Sequence, residues 1–274
     1  MRRLALALAL ALFAVTALFG LGATVNAEPI KVLIVTGDNV GAHKWKETTQ
    51  VLKDILTEKD HVTVDVTTTP GKDLTDENLA KYDVLLLNYF ATAQGPADSK
   101  WSDANMKAFL KAVHDEGKGL VVYHFSSAAF ARPNNAAFEK AIAGGWRTRG
   151  YHGPAHAFEV KKTDVKHPIS NGLPAKFEHA TDELYSNSLM TPGSVVLATA
   201  FSDPKRHPAG TNPKSVTGKD EAVVWVNQYG KGRVYNNVLG HDVTALSDKN
   251  LQEWLRHGVE WAATGKVEPH SEGR

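Results

Sequence analysis

The 274-residue chain contains no cysteine, which excludes disulfide bonds, a lipid-modified cysteine and thiol chemistry. Its formal net charge is only +1 and it has no lysine or arginine cluster, so a nucleic-acid-binding surface is not expected. The sequence also lacks a G-x-S-x-G elbow, a P-loop and a G-x-G-x-x-G motif after the first predicted strand. A hydrolase that uses a nucleophilic side chain is therefore disfavoured.

The N-terminus has the pattern of a secretory signal peptide. Residues 1–3 are Met-Arg-Arg, an apolar run covers 4–21, and Val-Asn-Ala follows at 25–27. We predict cleavage after Ala27, and the alternative is an uncleaved membrane anchor, because the apolar run is nearly long enough to span a bilayer. Cleavage would give a periplasmic or secreted protein that no longer contacts the membrane.

Strands and helices alternate in the first half of the chain. Predicted strands cover 30–36, 61–68, 82–88 and 120–123, and predicted helices run over 44–59 and around 106–113. Strands that are almost continuously apolar indicate a parallel sheet with helices on both faces. We therefore predict an α/β fold with a doubly wound, mostly parallel sheet.

The second half is less regular but is expected to complete the same single domain, which covers 28–267. Short strands are predicted at 158–160, 194–199, 222–228 and 232–238, before a closing helix over 249–263. The polar, proline-containing stretch 201–219 is predicted to be an exposed excursion between strands. Residues 268–274 are predicted to form a disordered tail.

Histidines follow several of the predicted strands. His124 ends the strand in GLVVYHFSSAAF, His43 follows the first strand, and His241 follows the strand that ends in NNVLG. Because loops after successive parallel strands meet at one edge of the sheet, these imidazoles are expected to converge. His152 belongs to the same candidate set, with His156 as the alternative, and His43 has the further alternative of simply capping a helix.

Imidazole is a common metal ligand, so this set predicts a divalent metal site, with zinc or manganese as the expected ion. Of the other histidines, two are predicted to lie in turns or on the surface and five to be solvated. The first group is His167 and His179, and the second is His61, His114, His207, His257 and His270.

Carboxylates and aromatic side chains near the same loops are candidate substrate-binding groups. Asp182 and Glu183 in TDELY are suited to act as a general base, a metal ligand or a partner of sugar hydroxyls, or else as a structural cap. Asp242 is predicted either to contact substrate or to orient His241. The aromatic candidates for stacking on a sugar ring are Trp45, Tyr89, Phe90, Trp146, Tyr151 and Tyr185, although such residues also fill cores.

Seven segments, taken in order, resemble the trehalose-utilisation (ThuA-like) family over almost the whole predicted domain. They are VLIVTG with HKW, YDVLLLN, GKGLVVYH, GGW followed by His152, HPISNGLP, DELY and YGKGRVYNNVLGHD. The resemblance implies a flavodoxin-like sheet related to the class I glutamine amidotransferases. In those enzymes the corresponding turn carries a cysteine nucleophile, whereas here it carries His124. The resemblance also implies a role in carbohydrate metabolism, with sugars or keto-sugars as substrates.

Two functions are consistent with these patterns. The first is an exported enzyme that acts on a keto-sugar or glycoside by metal-assisted isomerisation, elimination or hydrolysis, with His124, Glu183 and His241 as its catalytic residues. In that enzyme, Glu183 or a histidine that does not bind the metal moves the proton. The second is an exported carbohydrate-binding domain without catalysis. A small-molecule carbohydrate is the expected partner in both, and the oligomeric state is left open.

Overall fold

The computed structural model describes residues 28–38, 41–58, 60–208 and 210–268. The predicted signal peptide 1–27 and the predicted tail beyond residue 268 lie outside the described residues. The helices are α1 Trp45–Thr57, α2 Pro70–Asp73, α3 Asp76–Leu79, α4 Asp103–His114, α5 Ala136–Ile142 and α6 Lys249–Thr264. The strands are β1 Ile30–Val35, β2 Val62–Thr67, β3 Val84–Leu87, β4 Gly119–Tyr123, β5 Gly144–Gly145, β6 Tyr151–His152, β7 His156–Lys162, β8 Lys176–Asp182, β9 Tyr185–Ser186, β10 Leu189–Met190, β11 Val195–Phe201, β12 Asp220–Tyr229 and β13 Gly232–Asn237.

One large sheet organises the molecule. Within the described ranges it has nine strands in the order β2-β1-β3-β4-β13-β12-β11-β7-β8. The strands from β2 to β13 in this order are parallel, and β12, β11, β7 and β8 extend the sheet in antiparallel fashion. The predicted doubly wound α/β fold is confirmed. The predicted excursion 201–219 connects β11 to β12, and it contains a short 3₁₀ turn, Pro204–Arg206.

The two faces of the sheet are covered by different helices, because alternate side chains of a strand point to opposite faces. In β1, Val32 and Ile34 pack with apolar residues of α1 and α6. Leu33 and Val35 of the same strand pack on the other face with residues of α4 and α5. Helices therefore lie on both faces, as predicted. Among the described residues, no helix combines the length and apolar character needed to cross a bilayer.

Candidate metal and substrate site

His124 occupies the turn directly after β4 and is fully buried. Its φ of 44° lies in the left-handed region, which is uncommon for a residue other than glycine and is enriched at functional sites. The Nδ1–H group of His124 donates to the carbonyl oxygen of Val238 at 2.8 Å. The neutral imidazole therefore carries its lone pair on Nε2, which faces the site.

His43 and His241 reach the same point from the loops after β1 and β13. The Nε2 atoms of His43 and His124 are 3.2 Å apart, and the His43 ring packs on Phe125 with centroids 4.4 Å apart. The rings of His43 and His241 have their centroids 4.7 Å apart. Three predicted metal ligands that follow three parallel strands are thus brought together.

Glu183 completes this cluster from the antiparallel part of the fold. Its Oε2 atom lies 3.2 Å from Nδ1 of His241, 3.6 Å from Nε2 of His124 and 3.9 Å from Nε2 of His43. Its other oxygen, Oε1, lies 3.5 Å from Nε2 of His152. One carboxylate is therefore shared by the three clustered histidines on one side and by His152 on the other.

The cluster shifts the pKa values of its own members. Burial, together with the neighbouring His124 and His241, lowers the pKa of His43 to about 3, so its imidazole is neutral at ordinary pH. Burial alone would raise the pKa of Glu183, but its contacts with His124 and His241 outweigh burial and hold that pKa well below its usual value. The hydrogen bond with Glu183 raises the pKa of His241.

The donor set fits a divalent metal ion. The ligand atoms of His43, His124, Glu183 and His241 all lie within 4.8 Å of one another. Ligands about 2.1 Å from a tetrahedral ion are about 3.4 Å apart. Oε2 of Glu183 lies 3.2–3.9 Å from the three histidine nitrogens, and the Nε2 atoms of His43 and His124 are 3.2 Å apart. The bond from His124 to the Val238 carbonyl is also typical of a metal-bound histidine, whose second nitrogen donates to a protein oxygen. These four residues can therefore hold a metal.

A cavity of about 440 Å³ adjoins the cluster. His43, Glu183 and His152 contribute to its lining, and so does the exposed Arg132. Most of the remaining wall is apolar or aromatic. It includes Phe90, Phe125, Trp146, Tyr151 and Tyr185. A ring-shaped, polar ligand in this cavity would meet aromatic faces and the metal-ligand cluster together.

The sequence matches the model of the ThuA family, described as trehalose utilisation, over residues 31–262. The chain belongs to the ThuA family. It has no significant match among curated proteins. The predicted family is therefore confirmed, and with it a relation to carbohydrate utilisation.

Two solved ThuA-like structures resemble the chain over most of its length. One, from Parabacteroides merdae ATCC 43184, is 29% identical with a TM-score of 0.74, and the match covers 89% of this chain and 93% of that one. The other, from Bacteroides uniformis ATCC 8492, is 21% identical with a TM-score of 0.67, covering 90% and 98% of the two chains. A cytoplasmic protein from Salmonella typhimurium LT2 is 13% identical with a TM-score of 0.57, covering 86% and 100%. The last two matches show the fold alone.

In this ThuA-family chain, the predicted aromatic binding residues divide into two groups. Phe90, Trp146, Tyr151 and Tyr185 line the cavity. Tyr89 is fully buried and its hydroxyl donates to the carbonyl oxygen of Ser99 at 2.7 Å, while the cavity wall is formed by its neighbour Phe90. Trp45 begins α1, where the ammonium of Lys46 lies 5.5 Å from its ring, and it is not among the described residues that line the cavity.

The carboxylates of the two predicted aspartates accept hydrogen bonds from backbone N–H groups of the protein. Asp182 is buried, and its carboxylate accepts hydrogen bonds from the backbone N–H groups of Glu183, Gly240 and His241. Asp242 accepts from the backbone N–H groups two and three residues further on, which is a local turn contact. His241 is thus oriented through its backbone by Asp182, and its ring by Glu183.

Tyr185, one of the predicted aromatic candidates, contacts the cluster, whereas two histidines lie elsewhere than predicted. Tyr185 is buried, with its hydroxyl 3.0 Å from Nε2 of His124. His179 was predicted to be a turn or surface residue but is fully buried between Asp182 and Asp248. His257 was predicted to be solvated but is buried in α6, where its Nδ1–H group donates to the Ile169 carbonyl.

Proposed function

We propose that this protein is an exported carbohydrate-active enzyme that uses a divalent metal, zinc or manganese, to assist proton transfer on a keto-sugar or glycoside. The observation that carries the proposal is the convergence of His43, His124, His241 and Glu183 at one edge of an aromatic cavity. Membership of a trehalose-utilisation family supports a sugar as the substrate. Residues 1–27 would direct export.

The four clustered side chains would hold the metal. When bound, the metal would act as a Lewis acid toward a sugar carbonyl or hydroxyl oxygen. His43 and Glu183 line the cavity as well as belonging to the cluster, so a sugar in the cavity has access to the metal site. The lowered pKa values of His43 and Glu183 keep the imidazole neutral and the carboxylate ionised, which are the forms that bind metals.

His152 is the best-placed group to move the proton. Its Nδ1–H group donates to the Gly153 carbonyl at 2.8 Å, so the neutral ring has its lone pair on Nε2. That atom lies 3.5 Å from Oε1 of Glu183, and the side chain is 37% exposed at the cavity. We propose that Nε2 removes the proton from the carbon next to the sugar carbonyl. The C–H electron pair forms a C=C bond while the carbonyl π pair moves to oxygen. In isomerisation the hydroxyl proton then passes to that oxygen and His152 returns its proton to the former carbonyl carbon. In elimination the C=C bond forms between the next two carbons as the bond to the glycosidic oxygen breaks, and that oxygen takes the proton.

The aromatic wall would orient the sugar ring. The rings of Trp146 and Tyr185 are perpendicular, with centroids 4.7 Å apart, and Trp146 also lies next to His152 at 5.6 Å. A sugar packed on Trp146 would therefore lie close to the proposed base. The exposed guanidinium of Arg132 supplies hydrogen-bond donors on the cavity wall.

The test is metal content and turnover of the mature protein, purified without a histidine tag. Near-stoichiometric zinc or manganese is expected in the wild type and in His114→Ala, an exposed histidine paired with Asp115, and much less in His124→Ala. Oxidised disaccharides should then be consumed only by the metal-containing proteins. Absence of metal from the wild type after incubation with both ions would refute the proposal. Metal-independent sugar binding without product would support the binding-domain alternative.

A further inference from the structure

We infer that Asp182 and His179 are positioning residues that set the relative placement of the two site residues Glu183 and His241. Glu183 follows β8 and His241 follows β13, so the two residues come from different parts of the sheet. Their side chains nevertheless meet at 3.2 Å, between Oε2 and Nδ1. Two measurements test this inference. One of them, zinc affinity, rests on the proposed metal site, and the other, amide hydrogen exchange, does not.

A single buried carboxylate fixes both backbone segments. Oδ1 of Asp182 accepts the N–H of Glu183 at 2.7 Å and the N–H of His241 at 3.0 Å. Oδ2 of the same carboxylate accepts the N–H of Gly240 at 2.6 Å. Hydrogen bonds to an ionised acceptor are shorter and stronger than neutral ones, so these three hold the two segments at a defined separation.

His179 holds this carboxylate in place. Its Nε2 atom lies 2.8 Å from Oδ2 of Asp182, and its Nδ1 atom lies 2.9 Å from Oδ2 of Asp248. Because both ring nitrogens face carboxylates, both carry protons, and the ring is an imidazolium between two anions. Without this cation the two carboxylates would keep their backbone N–H donors but would have no positive charge between them, which is destabilising in a buried site.

Asp248 connects the arrangement to a rigid element. It is the N-cap of α6, where its Oδ1 accepts the N–H groups of Asn250 at 2.8 Å and Leu251 at 3.4 Å. The chain Asp248–His179–Asp182 therefore runs from the start of α6 to the backbone of Glu183 and His241. It hydrogen-bonds to those two residues through their backbone, which fixes their relative placement, and the charge of Asp182 also acts on the His241 ring.

The experiment compares Asp182→Asn and His179→Gln with the wild type and with Asp73→Asn as the matched control. Asp73 also accepts hydrogen bonds through one carboxylate oxygen, from Thr67 and Thr69, but lies outside the site. Zinc affinity is measured by competition with a chelator, and amide hydrogen exchange is measured on the metal-free proteins. Loss of a residue that orients metal ligands is expected to weaken zinc binding about 10- to 100-fold.

We expect both variants to show this weakening, with faster exchange at the amides of Gly240 and His241 and unchanged exchange in β1. Unchanged affinity together with unchanged exchange at these two amides in Asp182→Asn would overturn the inference. If the wild type binds no zinc, the proposed function fails, and exchange alone decides the inference. If Asp182→Asn does not fold, Asp248→Asn is measured by the same two methods, with the same expected direction.

Discussion

The Nε2 atoms of His43 and His124 lie 3.2 Å apart, although 81 residues separate the two histidines in the chain. Because Nδ1–H of His124 donates to the Val238 carbonyl, its Nε2 atom presents a lone pair. Oε2 of Glu183, which is within 3.9 Å of both nitrogens, adds a negative charge at the same point. A lone pair and a carboxylate that converge in this way favour a cation between them.

Replacing His152 with alanine is expected to lower kcat about 10²- to 10⁴-fold, because a positioned general base contributes that much to a rate. Zinc content should be unchanged, since the clustered donors do not include His152. The matched control is His156→Ala, whose ring packs against Phe158 and His207 rather than against Glu183. Equal losses of kcat in the two variants would contradict the assignment of His152. Steady-state kinetics and elemental analysis measure both quantities.

Stability should fall as the pH rises through about 9. Burial disfavours the charged His179 ring, but its bonds to Asp182 and Asp248 outweigh burial and raise its pKa to about 9. The folded state therefore binds this proton more tightly than the unfolded state, where the pKa is about 6.5. The protonated His179 ring therefore contributes fully to the free energy of unfolding below pH 6.5, and this contribution is lost as the pH rises through about 9.

This prediction is checked by urea denaturation of the metal-free protein at pH 6, 7.5 and 9.5. The raised pKa of His241 changes stability in the same direction. The decisive quantity is therefore the difference in free energy of unfolding between the wild type and His179→Gln. That difference should shrink by a few kcal/mol between pH 6 and pH 9.5. A difference that does not change with pH would show that His179 does not carry the proton.

Replacing Gly258 with alanine should destabilise the protein although the residue lies within α6. A Cβ atom at this position would clash with the ring of Tyr235. Overpacking of this kind costs about 1–3 kcal/mol, which exceeds the gain of up to about 1 kcal/mol in helix propensity. Thermal or urea unfolding measures the change, and adding Tyr235→Leu should recover part of the loss. An increase in stability for the single variant would contradict the predicted clash.

Replacing Trp146 with leucine should weaken disaccharide binding about 3- to 10-fold, in line with about 0.5–1.5 kcal/mol for an aromatic contact. The control is Trp101→Leu, since Trp101 packs on Tyr89 and Phe109 rather than in the cavity. Isothermal titration calorimetry measures both affinities on metal-loaded protein. Equal disaccharide affinities in the two variants would show that Trp146 does not contact the sugar.

The sequence predicted those parts of the site that depend on parallel topology. His43, His124 and His241 each follow a parallel strand. The carboxyl ends of parallel strands share one edge of the sheet, whatever the conformation of the loops. Glu183 lies between β8 and β9, and His152 lies in β6, which pairs with β9 in a separate two-stranded sheet. The placement of both residues depends on long-range pairing. Their identity as candidates could be predicted from local patterns, but their contact with the cluster could not.

Side-chain direction and burial were harder to predict than strand position. Tyr89 and Phe90 are neighbours after β3, and a shift of one residue decides which ring reaches the cavity. His179 lies in the polar segment FEHATDE, which is typical of a surface. Its burial depends on Asp248, which is 69 residues away in the chain and pairs with it only after folding.

The clustered metal donors lie at residues 43, 124, 183 and 241 of the chain. Most of the domain therefore lies in sequence between His43 and His241, which meet in the cluster. Such contacts cannot form in a partly folded chain, because each requires the closure of a long segment. A metal held there would consequently be retained by complete molecules and lost from cleaved or incompletely assembled ones. Metal retention would thus report the integrity of the chain between residues 43 and 241.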